Sequence, residues 1–98
     1  MSIFAVQYTY DERRDQQDAV RPEHRTYLRG LAEQGTLLAS GPWADGEPGA
    51  LLVFRTDDAG TLEGLLAADP FAREGLISST TVRGWNVVIG GWPEPAPL

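Results

Sequence analysis

Two helical stripes set between four strand-like runs constrain this chain more than any other feature. Ile3–Tyr10, rich in aromatic and β-branched residues, reads as a strand. Asp11–Asp18 is a polar, charge-dense connection, and Pro22 at a first-turn position is expected to open a helix. Its stripe is His24, Tyr27/Leu28 and Leu31/Ala32, with Gly35 as a natural C-terminal cap. Thr36–Trp43 follows as a strand broken by Gly41-Pro42; Ala44–Gly49 reads as a turn, and Ala50–Thr56 as a third strand, apolar enough to be central. Asp57 or Asp58 caps a second helix with the stripe Leu62, Leu65/Leu66, Asp69, which Pro70 ends because the residue before a proline is pushed out of the helical region. A Phe71–Gly75 turn leads to a long last strand, Ser79–Ile89, with Trp85 near its middle. Residues 1–90 are therefore expected to form one domain and 91–98 a proline-rich tail.

The order is β-α-β-β-α-β, the split βαβ or ferredoxin-like arrangement of the α+β class. Both helices should cover one face of a four-stranded antiparallel sheet. A chain of 98 residues has room for one core. It buries roughly 60–65% of its unfolded surface, enough to fold alone but with something to gain from dimerisation.

Composition removes several function classes. Fourteen acidic against eight basic residues give a net charge of −6. Lysine is absent, and the arginines form no cluster of the kind that replaces phosphate counterions, so neither nucleic acid nor an anionic membrane surface is an expected partner. There is no cysteine, hence no disulfide, thiolate nucleophile or thiolate metal site. With one histidine, a multi-histidine metal site within one chain is excluded. The N-terminal apolar run is short and lacks a preceding positive charge; it does not read as a signal peptide, and a cytoplasmic location is the expectation.

That one histidine carries the chemical interest. If the first strand runs upward, the start of the first helix and the end of the second both lie at the top of the sheet. His24 belongs to the first and Asp69 to the second. The same rim collects Tyr8 and Tyr10 from the exit of strand one, Ser40, Gly41, Pro42 and Trp43 from the exit of strand two, and Ser78 from the entry to the last strand. Aromatic walls with a few convergent polar groups are the usual make-up of a small-molecule pocket. A carboxylate that accepts one ring N–H fixes the imidazole tautomer and leaves the other nitrogen as a general base. The expected placement of His24 at a helix N-terminus opposes its positive form, whereas contact with a carboxylate favours it more strongly. The plainer alternative is a packing histidine, with Asp69 a simple helix-stop residue. Arg21, Arg25 and Arg73 are candidates to hold an anion at the rim, or else solvated surface arginines. Gly30, within the first helix, suggests close packing there, and Trp85 and Trp92 suggest a core or subunit boundary.

Taken together, Arg21-x-x-His24-x-x-Tyr27-Leu28, Gly35-x-Leu37-Leu38-x-Ser40-Gly41-Pro42, Asp69-Pro70-Phe71 with Gly75-Leu76, and Val82-x-x-Trp85 resemble the YciI-like (YCII-related) family over Ile3 to Ile89. The resemblance implies the fold of the dimeric α+β barrel group, in which ferredoxin-like subunits pair through their sheets. It implies that His24 and Asp69 match the family's His–Asp pair, with Ser40 and Gly41 beside the same pocket. Some relatives are described as small lyases acting on hydroxylated or chlorinated rings, and the wider group includes isomerases and cofactor-free oxygenases.

The resulting expectation is a homodimeric, cofactor-free enzyme of lyase or isomerase type. His24 acts as general acid or base and Asp69 orients it. Ser40, Gly41, Pro42, Ser78 and Tyr8 surround a small ring-containing or carbonyl substrate, and no metal is involved. The alternatives are a ligand-binding or regulatory module using the same pocket without turnover, and a purely structural dimer.

Overall fold

The computed structural model describes residues 1–92 of the chain; the expected tail falls mostly on residues 93–98, outside the described residues. The elements in order are β1 (Ser2–Tyr10), α1 (Arg14–Glu33), β2 (Leu37–Pro42), β3 (Gly49–Thr56), α2 (Ala59–Ala67), α3 (Pro70–Arg73) and β4 (Ile77–Gly84). The four strands form one antiparallel sheet in the order β2-β3-β1-β4. This is the ferredoxin-like α+β fold, with β1 and β3 central as their apolar content requires.

Alternation along the central strands sets the core. Val6 and Tyr8 of β1 are paired with Leu52 and Ala50 of β3, so all four lie on one face of the pleat. There they are buried with Phe54, Leu28 and Leu31 of α1, Leu37 and Leu62, and Phe4, Tyr10, Tyr27, Leu65, Leu66 and Ile77 pack around them. Helices thus cover one face. On the opposite face, Ala5, Gln7, Leu51, Val53, Thr81, Arg83, Gly84 and Trp85 surround a shallow depression of about 290 Å³.

Helix α1 begins at Arg14, two turns before the expected start at Pro22, so most of the expected Asp11–Asp18 connection is helical. Two local features explain the difference. Asp11 anchors the entry: its carboxylate accepts from the Arg13 backbone N–H at 3.0 Å and from Arg13 Nε at 2.8 Å. These bonds, the backbone one foremost, hold its carboxyl below the usual carboxylate range. Gln17 is the inward residue of the added turns, buried, with Nε2 donating to the Asp11 carbonyl and carboxylate at 2.8 and 3.0 Å. A polar residue on the buried stripe hides the helical period from a hydrophobicity reading. Pro22 then sits inside the helix on the exposed side, where the carbonyl it cannot pair faces water. At the other end Gly35, at φ +82°, closes α1: its N–H donates to the Ala32 carbonyl and that of Thr36 to the Leu31 carbonyl, both at 3.0 Å. This is the 5→2 and 6→1 pattern of a Schellman cap, which needs a left-handed residue.

Helix α2 is capped by Asp58, whose side chain accepts from the Thr61 N–H at 2.8 Å. The expected Phe71–Gly75 turn is the short helix α3, with Pro70 at its first turn. Strand β4 ends at Gly84, so Trp85 lies beyond it, 45% exposed and edge-on to Trp92 at 6.4 Å. A Cβ at Gly30 would meet nothing within 4 Å, so no close packing explains that glycine. No helix among the described residues is long and apolar enough to cross a membrane.

Candidate functional site

Asp69 and His24 meet. Asp69 stands between α2 and α3 rather than on the apolar stripe of α2, with extended backbone and its side chain capping α3. The carboxylate is 1% exposed and takes three protein donors. Oδ1 accepts from His24 Nδ1 at 2.7 Å and from the Phe71 N–H at 2.9 Å; Oδ2 accepts from the Tyr8 hydroxyl at 2.9 Å. Because a carboxylate oxygen accepts, the shared proton belongs on Nδ1 of the neutral ring. Nε2 then carries the free lone pair, and it has no hydrogen-bond partner among the described residues.

The ring is held from its flat side as well. His24 stacks on Phe71 with centroids 4.0 Å apart and planes 6° from parallel. Phe71 also forms a T-shaped pair with Tyr10, centroids 5.4 Å apart, and the Arg21 guanidinium lies 5.9 Å from its centroid. Phe71 therefore sets imidazole orientation through its face while its backbone N–H holds the carboxylate. The Asp69-Pro70-Phe71 run contained part of that signal, because an aspartate capping the helix that Pro70 opens accepts from the N–H of Phe71 or of Ala72.

His24 sits in the middle of α1, so the helix-terminus contribution expected for it does not apply. It lines a cavity of about 690 Å³ with Tyr10, Arg21, Arg25, Leu28, Ser40, Gly41, Pro42, Ala50 and Leu52. The strand register explains the composition: Ser40 is opposite Leu52 and Pro42 opposite Ala50, so both share the helix-covered face. Burial pushes the Tyr10 hydroxyl pKa up and the Asp69 charge adds to that, with Arg21 and Arg25 partly offsetting both.

Of the residues expected at the pocket, His24, Ser40, Gly41 and Pro42 line one cavity, whereas Tyr8 and Ser78 do not. Tyr8 is 2% exposed, behind the carboxylate, where burial first and Asp69 second push its hydroxyl far above the ordinary tyrosine range. It stays protonated and a donor, holding Asp69 rather than a ligand. Ser78 falls where the β1–β4 register shifts, and its hydroxyl donates to the Thr9 carbonyl at 3.1 Å. Its strand is on the far edge of the sheet from β2, which bounds the cavity. Arg73 pairs with Glu23 at 2.7 Å, both exposed. Among the described residues no group of three or more His, Cys, Asp or Glu side chains is arranged to hold a metal ion.

A ferredoxin-like sheet with a buried carboxylate–imidazole pair at the wall of a cavity defines the class: a small α+β protein with one oriented histidine beside a cavity. The chain belongs to the YCII-related domain family, whose model matches residues 1–86. Among solved structures it is similar to 5-chloro-2-hydroxyhydroquinone dehydrochlorinase from Burkholderia phenoliruptrix, determined in complex with 2,5-dihydroxybenzoquinone. That similarity has 18% identity and a TM-score of 0.77, covering 86% of this chain and 93% of the other. It is also similar in fold to an antibiotic biosynthesis monooxygenase, at 18% identity and a TM-score of 0.57, covering 91% of this chain and 100% of that one. No protein of curated function matches the sequence.

Proposed function

We propose that the protein is a small acid–base enzyme of lyase or isomerase type, working without a cofactor on a small ring-containing or carbonyl compound. One observation carries this reading. The single histidine is locked by a carboxylate on Nδ1 and an aromatic face, leaving Nε2 as the unpartnered nitrogen at the wall of a 690 Å³ cavity. In the proposed step Nε2 accepts a proton from a substrate C–H or O–H. Asp69 stabilises the imidazolium so formed. The electron pair left on the substrate either expels a leaving group as its anion from the adjacent carbon or is reprotonated elsewhere by Nε2–H. In the first branch the Nε2 proton then passes to that anion or to water, so both branches return the histidine to its starting state. In this reading the Ser40 hydroxyl, at the cavity wall, donates to a substrate oxygen, and Leu28, Ala50 and Leu52 supply an apolar floor. A cavity of this volume falls in the range of ordinary small-molecule pockets, and the dehydrochlorinase neighbour binds a single dihydroxylated ring.

We further propose that two copies pair through the uncovered sheet face, where Leu51 and Trp85 present apolar surface. A stable monomer in a solution mass measurement at micromolar concentration overturns that part.

The test of the enzyme reading is turnover of hydroxylated and halogenated ring compounds, 5-chloro-2-hydroxyhydroquinone included, by wild type and His24→Ala. The expected result is a loss of about 10²–10⁴-fold in the variant, with its melting temperature within a few degrees of wild type. Full activity in a folded His24→Ala variant refutes the reading. Ligand-induced thermal shifts with no product from any compound favour the non-catalytic binding module instead.

A further inference from the structure

Arginine recurs every fourth residue along the middle of α1, at Arg21, Arg25 and Arg29, and this spacing puts the three on one stripe. The stripe borders the gap between α1 and β2. Arg21 and Arg25 line the cavity that holds His24. A second hollow of about 320 Å³, sharing Arg25, Leu28 and Ser40 with the first, carries Arg29 at its wall along Leu37, Leu38 and Ala39. No aspartate or glutamate lines either space.

In a chain of net charge −6 whose only basic side chains besides His24 are eight arginines, that concentration is marked. Three arginines elsewhere are occupied, Arg13 with Asp11, Arg73 with Glu23 and Arg55 on the Gly35 carbonyl, while Arg14, at the start of α1, and Arg83, on β4, lie outside the stripe. Arg21 is paired with Asp18. Arg25 and Arg29 make no hydrogen bond or ion pair among the described residues. A guanidinium offers a planar fork of donors that matches an oxyanion, and an acid-free groove within an otherwise acidic protein is where such an anion gains most.

Resting on the acid–base reading above, we infer that the substrate is an anion. It is a ring compound bearing an oxyanion, a carboxylate in the simplest case, anchored on Arg25 and Arg29 while its reacting part lies at His24 Nε2. The two arginines select for charge and position the ring; they take no part in proton transfer.

Binding of para-hydroxybenzoate and of its neutral isostere para-hydroxybenzamide tests this, measured by calorimetry and by the ring resonances of His24. Wild type is expected to prefer the acid by about tenfold or more. Arg25→Gln combined with Arg29→Gln abolishes the preference, and the paired lysine replacements restore most of it. Both positions are exposed, so the variants should fold. Equal binding of acid and amide, a preference that survives the double glutamine variant, or no binding of the acid at millimolar concentration overturns the anchor. The histidine signal separates the two ideas. An arginine-dependent preference that leaves His24 unperturbed keeps the anchor and defeats the acid–base reading. Equal affinity for the two probes, with His24 perturbed by both, does the reverse.

Discussion

Replacing Asp69 with alanine should unfold a large share of this domain, although it removes only one side chain. The carboxylate is buried and accepts from His24 Nδ1, the Phe71 N–H and the Tyr8 hydroxyl at 2.7, 2.9 and 2.9 Å. Each donor left unpaired costs about 1–3 kcal/mol, and because the three can relax together the sum is expected near 3–5 kcal/mol. For a domain of this size that corresponds to a fall of roughly 15–30 °C in melting temperature. Asp69→Asn behaves differently. Its amide oxygen can take the place of Oδ1, keeping both the His24 and Phe71 donors, and its amide nitrogen can donate to the Tyr8 oxygen. Asparagine is also a good helix cap, so the cost should be about 1 kcal/mol. Urea unfolding at neutral pH, followed by tryptophan fluorescence with equal slopes for all three proteins, measures both values. An alanine variant that loses less than about 1 kcal/mol, well under the cost of even a few unpaired donors, refutes the three-donor network. An asparagine variant as unstable as alanine shows that net charge, rather than hydrogen-bond geometry, holds the site.

Three further outcomes follow from the same structure. A Cβ at Gly49 would lie 2.1 Å from the Tyr8 carbonyl oxygen and 3.2 Å from Trp43 Cδ1, so Gly49→Ala must part β1 from β3 behind the site; a loss of about 1–3 kcal/mol or more is expected in thermal melts. Gly30→Ala, with open space around the new methyl, should raise stability by about 0.5–1 kcal/mol by restoring helix propensity. Tyr8, Tyr10 and Tyr27 all have hydroxyl pKa values raised by burial and by Asp69. Their folded-state protons are therefore kept after the unfolded chain begins to ionise near pH 10, and stability declines above that point. The decline is up to about 1.4 kcal/mol per pH unit for the deeply buried Tyr8 and less for the others, Tyr27 least because solvent screens it. Unfolding midpoints of wild type and Tyr8→Phe between about pH 9 and 11.5 should show a shallower alkaline decline in the variant; parallel slopes contradict the assignment.

The pairing of His24 with Asp69 was legible from chain direction, which brings the exit of α2 to the side of the sheet where α1 carries His24. The premise that His24 opens its helix did not hold, since α1 starts two turns earlier. The succession of strands and helices along the chain was legible from their apolar patterns, as was the central place of Ala50–Thr56 in the sheet. What escaped was local and polar. The first two turns of α1 turn inward through Gln17 instead of an apolar residue, and Pro22 reads as a helix start although the exposed side of a helix tolerates it. The short α3 escaped because four residues carry no period, yet it places Phe71 against both members of the pair. Tyr8 belonged to the site but behind it; alternation put it in the core, and a buried tyrosine hydroxyl needs a partner, which Asp69 provides. The misplacement of Ser78 came from the bulge at the β1–β4 pairing, which leaves no mark in composition.

The measurement closest to the central claim is long-range ¹H–¹⁵N correlation of the His24 ring, unambiguous because the chain has one histidine. The neutral ring should be protonated on Nδ1, with Nε2 bare and shifting when 2,5-dihydroxybenzoquinone is added. A neutral ring protonated on Nε2, or an Nε2 signal indifferent to every ring compound that binds, would contradict an acid–base role for this histidine.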